Sequence, residues 1–155
     1  MFLIAHRGNI IGPHPEKENH PDYLLEAVNT GFEVEVDIWS YDNMWLLGHD
    51  GPQYEVDDSY LTSLHARNAL WLHAKNADAL SKLSSGGVYE NWRFFWHQQD
   101  DYTLTSNGYL WTYPGKELMH NSICVMPESP SRSMLRCAGI CSDHIKEYKK
   151  FKISE

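Results

Sequence analysis

The chain has no apolar run approaching the roughly 20 residues that a membrane-spanning helix needs, so no stable membrane insertion is expected. Positive charge is in deficit: 13 Lys and Arg stand against 21 Asp and Glu, for a net charge of −8. Non-specific binding to nucleic acid or anionic lipid needs a positive field, so neither is an expected partner. A phosphate-bearing ligand requires a local cation to reverse that field, which points to a metal ion. Cysteine is scarce, and Cys124, Cys137 and Cys141 form an odd set without a second pair to complete a zinc site. They read as core thiols in a reducing compartment. The opening Met1 to Gly8 has too short an apolar run and no basic stretch for a signal peptide. A cytoplasmic protein is the expectation.

What is present suits one folded domain spanning 1–155. A chain near 150 residues buries roughly 70% of its unfolded surface, and six Trp, nine Tyr and five Phe argue against disorder. Short apolar runs recur, each ending in residues with chemical capability. Phe2 to Ala5 runs into His6-Arg7-Gly8, and Trp45 to Gly48 into His49-Asp50. Leu70 to Leu72 leads to His73-Ala74-Lys75, and Phe94 to Trp96 to His97-Gln98. From Phe32 to Ile38 the alternation is strict, with Val34, Val36 and Ile38 on one face and Glu33, Glu35 and Asp37 on the other. Period two is the strand signature.

Pro21 to Gly31 reads as a helix opened by Pro and Asp and closed by Gly, and a second helix is expected around Asn76 to Leu83. Lys146, Lys149, Lys150 and Lys152 read as a solvated, basic terminal helix. Strands ending in polar residues and alternating with helices fit an α/β fold with a parallel sheet or barrel. A full (β/α)8 barrel takes about 250 residues. The chain is therefore expected to form a reduced or incomplete TIM-type barrel with shortened connections in its C-terminal half. Residues 93–128 should hold three strands and almost no helix. Phe94, Phe95, Trp96, Tyr109, Trp111 and Tyr113 would then cover bare strand faces or form a homodimer contact.

Glu35 and Asp37, two apart on a strand, point the same way and are poised to share a hard divalent cation. His6 and His49 are candidates for proton transfer near neutral pH. Arg7 offers a planar fork for phosphate oxygens. His49-Asp50 also sits in a strong turn signal, Asp50-Gly51-Pro52. His97 is read as a cavity-lining residue or a hydrogen-bonded structural histidine. Trp111 and Tyr113 are read as core or lid aromatics, with contact to the alcohol part of a substrate as the alternative, and Glu128 as a reserve ligand. His14, His20, His65, His120 and His144 read as surface or capping residues.

The order His-Arg-Gly, Glu18-Asn19, Glu-x-Asp and His-Asp resembles the glycerophosphodiester phosphodiesterase family of phospholipase-C-like phosphodiesterase barrels. The likeness is dense over residues 1–52. Beyond it, Leu72-His73-Ala74-Lys75 resembles the family's Glu-x-Lys strand end, and Ala138 to Asp143 is similar to its last strand, Asp-Gly-Ile-x-Thr-Asp. Two departures stand out: Lys17 occupies the position before Glu18 where the family has Pro, and His73 stands where the family has an acid. The resemblance implies hydrolysis of a small phosphodiester, with His6 and His49 as acid and base and Arg7 and Lys75 as catalytic cations. It implies a substrate held by Arg7, Lys75, His97 and Trp111. One divalent ion, Mg²⁺, Ca²⁺ or Mn²⁺ ahead of Zn²⁺, would sit on Glu35, Asp37 and His73. The alternative is a non-catalytic relative of the same fold that binds a phosphoryl ligand or a partner. A metal-dependent amidohydrolase barrel is disfavoured, since the first strand carries no His-x-His.

Overall fold

The computed structural model describes residues 1–152, with side chains through residue 150. The N-terminal half runs β1 (Phe2–His6), α1 (Pro21–Asn29), β2 (Glu33–Tyr41), β3 (Met44–Leu47), β4 (Tyr54–Val56), α2 (Asp58–Ala66), β5 (Leu70–Ala74) and α3 (Ala77–Ser84). The C-terminal half runs β6 (Phe94–Phe95), β7 (Tyr102–Leu104), β8 (Leu110–Thr112), β9 (Ser122–Val125), β10 (Gly139–Ser142) and α4 (Lys149–Lys152). Turns and short 3-10 segments make its connections.

Local chemistry sets the helices. His20 caps α1 by accepting the Asp22 N–H on its ring nitrogen at 3.2 Å, and Gly31, at φ 90°, takes the chain out of the helix. Asn76 caps α3, its Oδ1 accepting from Ala79 N–H, while its amide also bonds both backbone groups of Ser40. Helix α2 was not foreseen from the sequence. It is capped by Asp57, which accepts from Tyr60 N–H at 2.8 Å, and buries Leu61 and Leu64.

Strands β6, β5, β2, β1, β10, β9 and β8 lie side by side in that order, all parallel. Two antiparallel additions complete the ten-stranded sheet. β7 folds back on β8, so residues 93–128 hold four strands rather than the expected three. The Trp45 run is the return arm of a hairpin, because Asp42 and Asn43 both take positive φ (48° and 67°) and turn β2 back on itself.

The two faces of the sheet differ. One packs Leu3, Ala5, Val34, Val36, Ile38 and Leu72 against α1, α2 and α3. The other gathers Ile4, Trp71, Phe95, Trp111, Ile123 and Cys141, drawn from six strands, into a second cluster. Such contacts require the sheet to curl: Phe95 stacks on Trp111 at 4.4 Å, and Ser106 N–H donates to Phe94 O at 2.9 Å. The ladders themselves do not form a continuous ring among the described residues. The architecture is thus mixed α/β. Phe95 and Trp111 fill the inner face, Phe94 and Trp96 pack on the outer core, and Tyr113 stays half-exposed.

All three cysteines are buried free thiols. In the basic tail, Ile145 and Tyr148 are buried while Lys146, Lys149 and Lys150 are exposed, and the Lys149 ammonium lies over the Phe32 ring. The Lys152 side chain falls outside the described residues. No described helix is long and apolar enough to cross a membrane.

Candidate metal centre and active site

The inner face changes character along the strands. Above the apolar cluster, parallel register sets His6 beside Glu35 and Asp37 beside His73. The acidic alternation read on β2 therefore points inward, and Glu35 and Asp37 are buried at 2% and 0% exposure. His73 Nδ1 lies 3.1 Å from Asp37 Oδ1 and 3.7 Å from Glu35 Oε1. Its other nitrogen, Nε2, is 2.9 Å from the His97 carbonyl, and its ring stacks on Phe95. A carbonyl only accepts, so Nε2 carries a hydrogen, and Nδ1 is the nitrogen turned toward the two carboxylates. A ring nitrogen donating to a backbone carbonyl while the other faces acidic oxygens is how metal-binding histidines are held.

The donor set fits a divalent ion. Ligand atoms from Glu35, Asp37 and His73 all lie within 4.8 Å of one another. Glu35 Oε2 and Asp37 Oδ1 are buried without a hydrogen-bond partner among the described residues. Two oxygens and one imidazole suit Mn²⁺ and neighbouring hard or borderline ions.

Asp37 is the better-supported carboxylate. β1 leaves the edge of β2 after His6, and β3 joins that edge only at its end, where Gly48 N–H meets Asp37 O. Asn19 fills the interval. Its Oδ1 accepts from Asp37 N–H at 3.0 Å and its Nδ2 donates to Asp37 Oδ2 at 2.9 Å, from a backbone held at φ 60°. Arg7 Nε lies 3.0 Å from Asp37 Oδ2, and Lys75 Nζ 3.5 Å from Oδ1. Burial works against charge on Asp37, but His73, Arg7 and Lys75 outweigh it and hold the carboxyl well below its ordinary range. Glu35 goes the other way: burial, then the Asp37 charge, push its carboxyl up.

His6 is held by Asp143, whose Oδ1 is 2.8 Å from Nδ1 and also accepts from Asn9 Nδ2 at 2.8 Å. His6 Nε2 is left facing Glu35 Oε2 at 4.0 Å. Burial opposes its imidazolium, but the Asp143 bond and the Glu35 charge prevail and raise its pKa. Asp143 is lowered in turn, the His6 bond and charge overcoming burial. Glu18 accepts from Arg7 Nη1 and from Asn9, closing a network beneath the site.

His6, Arg7, Glu35, His73 and Lys75 line one cavity of about 570 Å³ that also meets His49, His97 and Trp111. Every residue singled out from the sequence as catalytic or substrate-binding reaches it. His49 sits at the mouth, half-exposed, with Nδ1 2.6 Å from Asp50 Oδ1. Its turn depends on Gly48: at φ 146°, a Cβ there would lie 2.2 Å from the Gly51 carbonyl. His97 bonds Thr103 through Nδ1, and Trp111 serves the apolar cluster as well as the cavity wall. Glu128 does not join the metal cluster and lines a neighbouring groove, because the chain has left β9 three residues earlier. Of the remaining histidines, His20 caps α1 and His65 stacks on Trp92 at 4.9 Å. His14, His120 and His144 are exposed.

Sequence reading missed Asn9 altogether, and it gave no role to Asn19 or Asp143. Asn9 and Asn19 in the loop after Gly8 and the acid ending the last apolar run were the signals available. No family model, curated protein or solved structure matches the chain, so the assignment rests on this geometry.

Proposed function

We propose that the protein is a metal-dependent phosphodiesterase built on a reduced TIM-type (β/α) barrel. The observation that carries the reading is His73, turned by the His97 carbonyl so that Nδ1 faces Glu35 and Asp37 beside two cations and two histidines. The parallel strands, the helices on the outer face and a site at the strand C-termini support the barrel assignment.

Glu35, Asp37 and His73 would hold the ion. When bound, a divalent ion polarises a phosphoryl oxygen and neutralises charge that develops on it. Arg7 and Lys75 supply fixed positive charge to the phosphodiester in a net acidic chain. His6, with its pKa raised and Nδ1 fixed by Asp143, delivers the proton from Nε2 to the departing alkoxide oxygen. His49, whose Nδ1 faces Asp50, takes the proton of the attacking hydroxyl on Nε2 as the new O–P bond forms and the old one breaks. The attacking hydroxyl belongs to water or to the substrate itself.

A second reading, a phosphoryl-ligand binder without turnover, has one observation in its favour: both cations are drawn onto Asp37. Hydrolysis of bis(p-nitrophenyl) phosphate with Mn²⁺, and again with excess EDTA, separates the two. Turnover that EDTA abolishes and Mn²⁺ restores is expected. No turnover under any added ion would refute catalysis.

A further inference from the structure

The catalytic cavity does not end at its own wall. A second groove of about 450 Å³ adjoins it, and Tyr113, Pro114, Val125 and Met126 line both. None of His6, Arg7, Glu35, His73 or Lys75 lines this second groove. Beyond the shared passage the groove is walled by Leu118, Cys124, Pro127 and Met134. Its polar lining is Lys116, paired with Asp101 at 2.9 Å, Ser131 and Ser133, whose hydroxyls bond one another at 2.7 Å, and the exposed Glu128 and Ser129.

A second feature marks the passage. Met126 adopts φ 45°, a left-handed conformation that a long side chain rarely takes, with its N–H held by Cys141 O at 2.8 Å. Such strain is maintained by its surroundings and concentrates at functional positions. Here it sets a flexible thioether at the junction of the two spaces, a side chain suited to irregular apolar ligands.

We propose that the leaving alcohol of the substrate is a long hydrocarbon alcohol, whose chain passes Tyr113 and Met126 into this groove. The proposal rests on the phosphodiesterase reading for its head group and on the groove for its tail. A small polar alcohol would occupy the catalytic cavity alone and leave the passage unused. A hydrocarbon chain removes apolar walls from water along its whole length.

The test uses the full chain with Mn²⁺ and methyl n-alkyl phosphodiesters bearing ethyl, hexyl and decyl groups, all below their micellar concentrations. Methyl n-alkyl phosphinates of the same lengths, which have the charge but no scissile P–O–C bond, report binding by calorimetry. A fully buried methylene is worth roughly fourfold. The expected result is a rise of at least about tenfold in kcat/KM, and a matching fall in Kd, from hexyl to decyl. Ser133→Trp, at an exposed groove position, should abolish that length dependence. Flat series in both readouts, or a length dependence untouched by Ser133→Trp, overturns the proposal. Phosphinates that bind more tightly with length, with no ester hydrolysed, would uphold the groove and refute the phosphodiesterase reading.

Discussion

Glu35 and Asp37 look equivalent in sequence, yet the structure makes opposite demands on them. Without metal, Asp37 is a buried anion enclosed by Arg7, His73 and Lys75 within 3.5 Å and bonded by Asn19. Asp37→Asn removes one partner of a buried ionic group and strands the others, a loss of about 3–5 kcal/mol. At about 2–4 °C per kcal/mol for a chain of this size, the melting temperature should fall by about 6–20 °C. Glu35 has no such enclosure: its Oε2 is an orphan and its carboxyl is already pushed toward the neutral form. Glu35→Gln keeps the shape and removes a charge repelled by Asp37, so metal-free melting should be unchanged or higher. Thermal denaturation in EDTA measures both. Repeated with Mn²⁺ at 100 times its Kd, wild type should gain about 2.7 kcal/mol, or about 5–11 °C, and Glu35→Gln should gain far less. An equal drop for the two variants in EDTA would refute the asymmetry. An undiminished Mn²⁺ shift in Glu35→Gln would remove that residue from the metal site.

Other expectations follow from the same geometry. His6→Ala and His49→Ala should each lower the rate by about 10²–10⁴, measured as kcat on a chromogenic phosphodiester. Asp143→Asn keeps an acceptor for His6 but removes the charge that raises it, so the limb of the pH–rate profile set by His6 should move to lower pH. In EDTA, the stability that His6 draws from Asp143 is full below the ordinary histidine pKa near 6.5 and is lost as pH rises through the raised folded value. His6→Ala should remove that part of the pH dependence of melting. His73→Glu should shift metal preference from Mn²⁺ toward Mg²⁺ or Ca²⁺, and an unaltered preference by competitive titration would exclude His73 as a ligand. Gly48→Ala should displace His49, lowering kcat more than it lowers metal affinity.

Legibility in the sequence followed the strength of local periodicity. β2 and α1 were readable because Val34, Val36 and Ile38 alternate without a break and because Pro21 and Gly31 punctuate one helix. α2 was not, since only Leu61 and Leu64 are fully buried along it and its acidic start resembles a loop. The direction of β3 was hidden because two left-handed residues, Asp42 and Asn43, decide it. In the site, Glu35 and Asp37 could be paired from spacing alone. The bonds from Asn19 to Asp37 and from Asp143 to His6 span 18 and 137 residues and arise only from the fold.

The seam where the sheet meets itself has a dynamic consequence. β5 shares five register pairs with β2 but two with β6, and β6 meets the β7–β8 turn through the Ser106 amide and hydroxyl. Local opening begins where backbone bonds are few, so the amides of Leu72 and Ser106 should exchange with solvent before those between β1 and β2. The carbonyl that aims His73 belongs to His97, two residues beyond β6. Each opening of the seam therefore releases the imidazole from its orientation. An ion bound at Glu35, Asp37 and His73 would act as a clasp on this seam, slowing hydrogen exchange at the Leu72 and Ser106 amides.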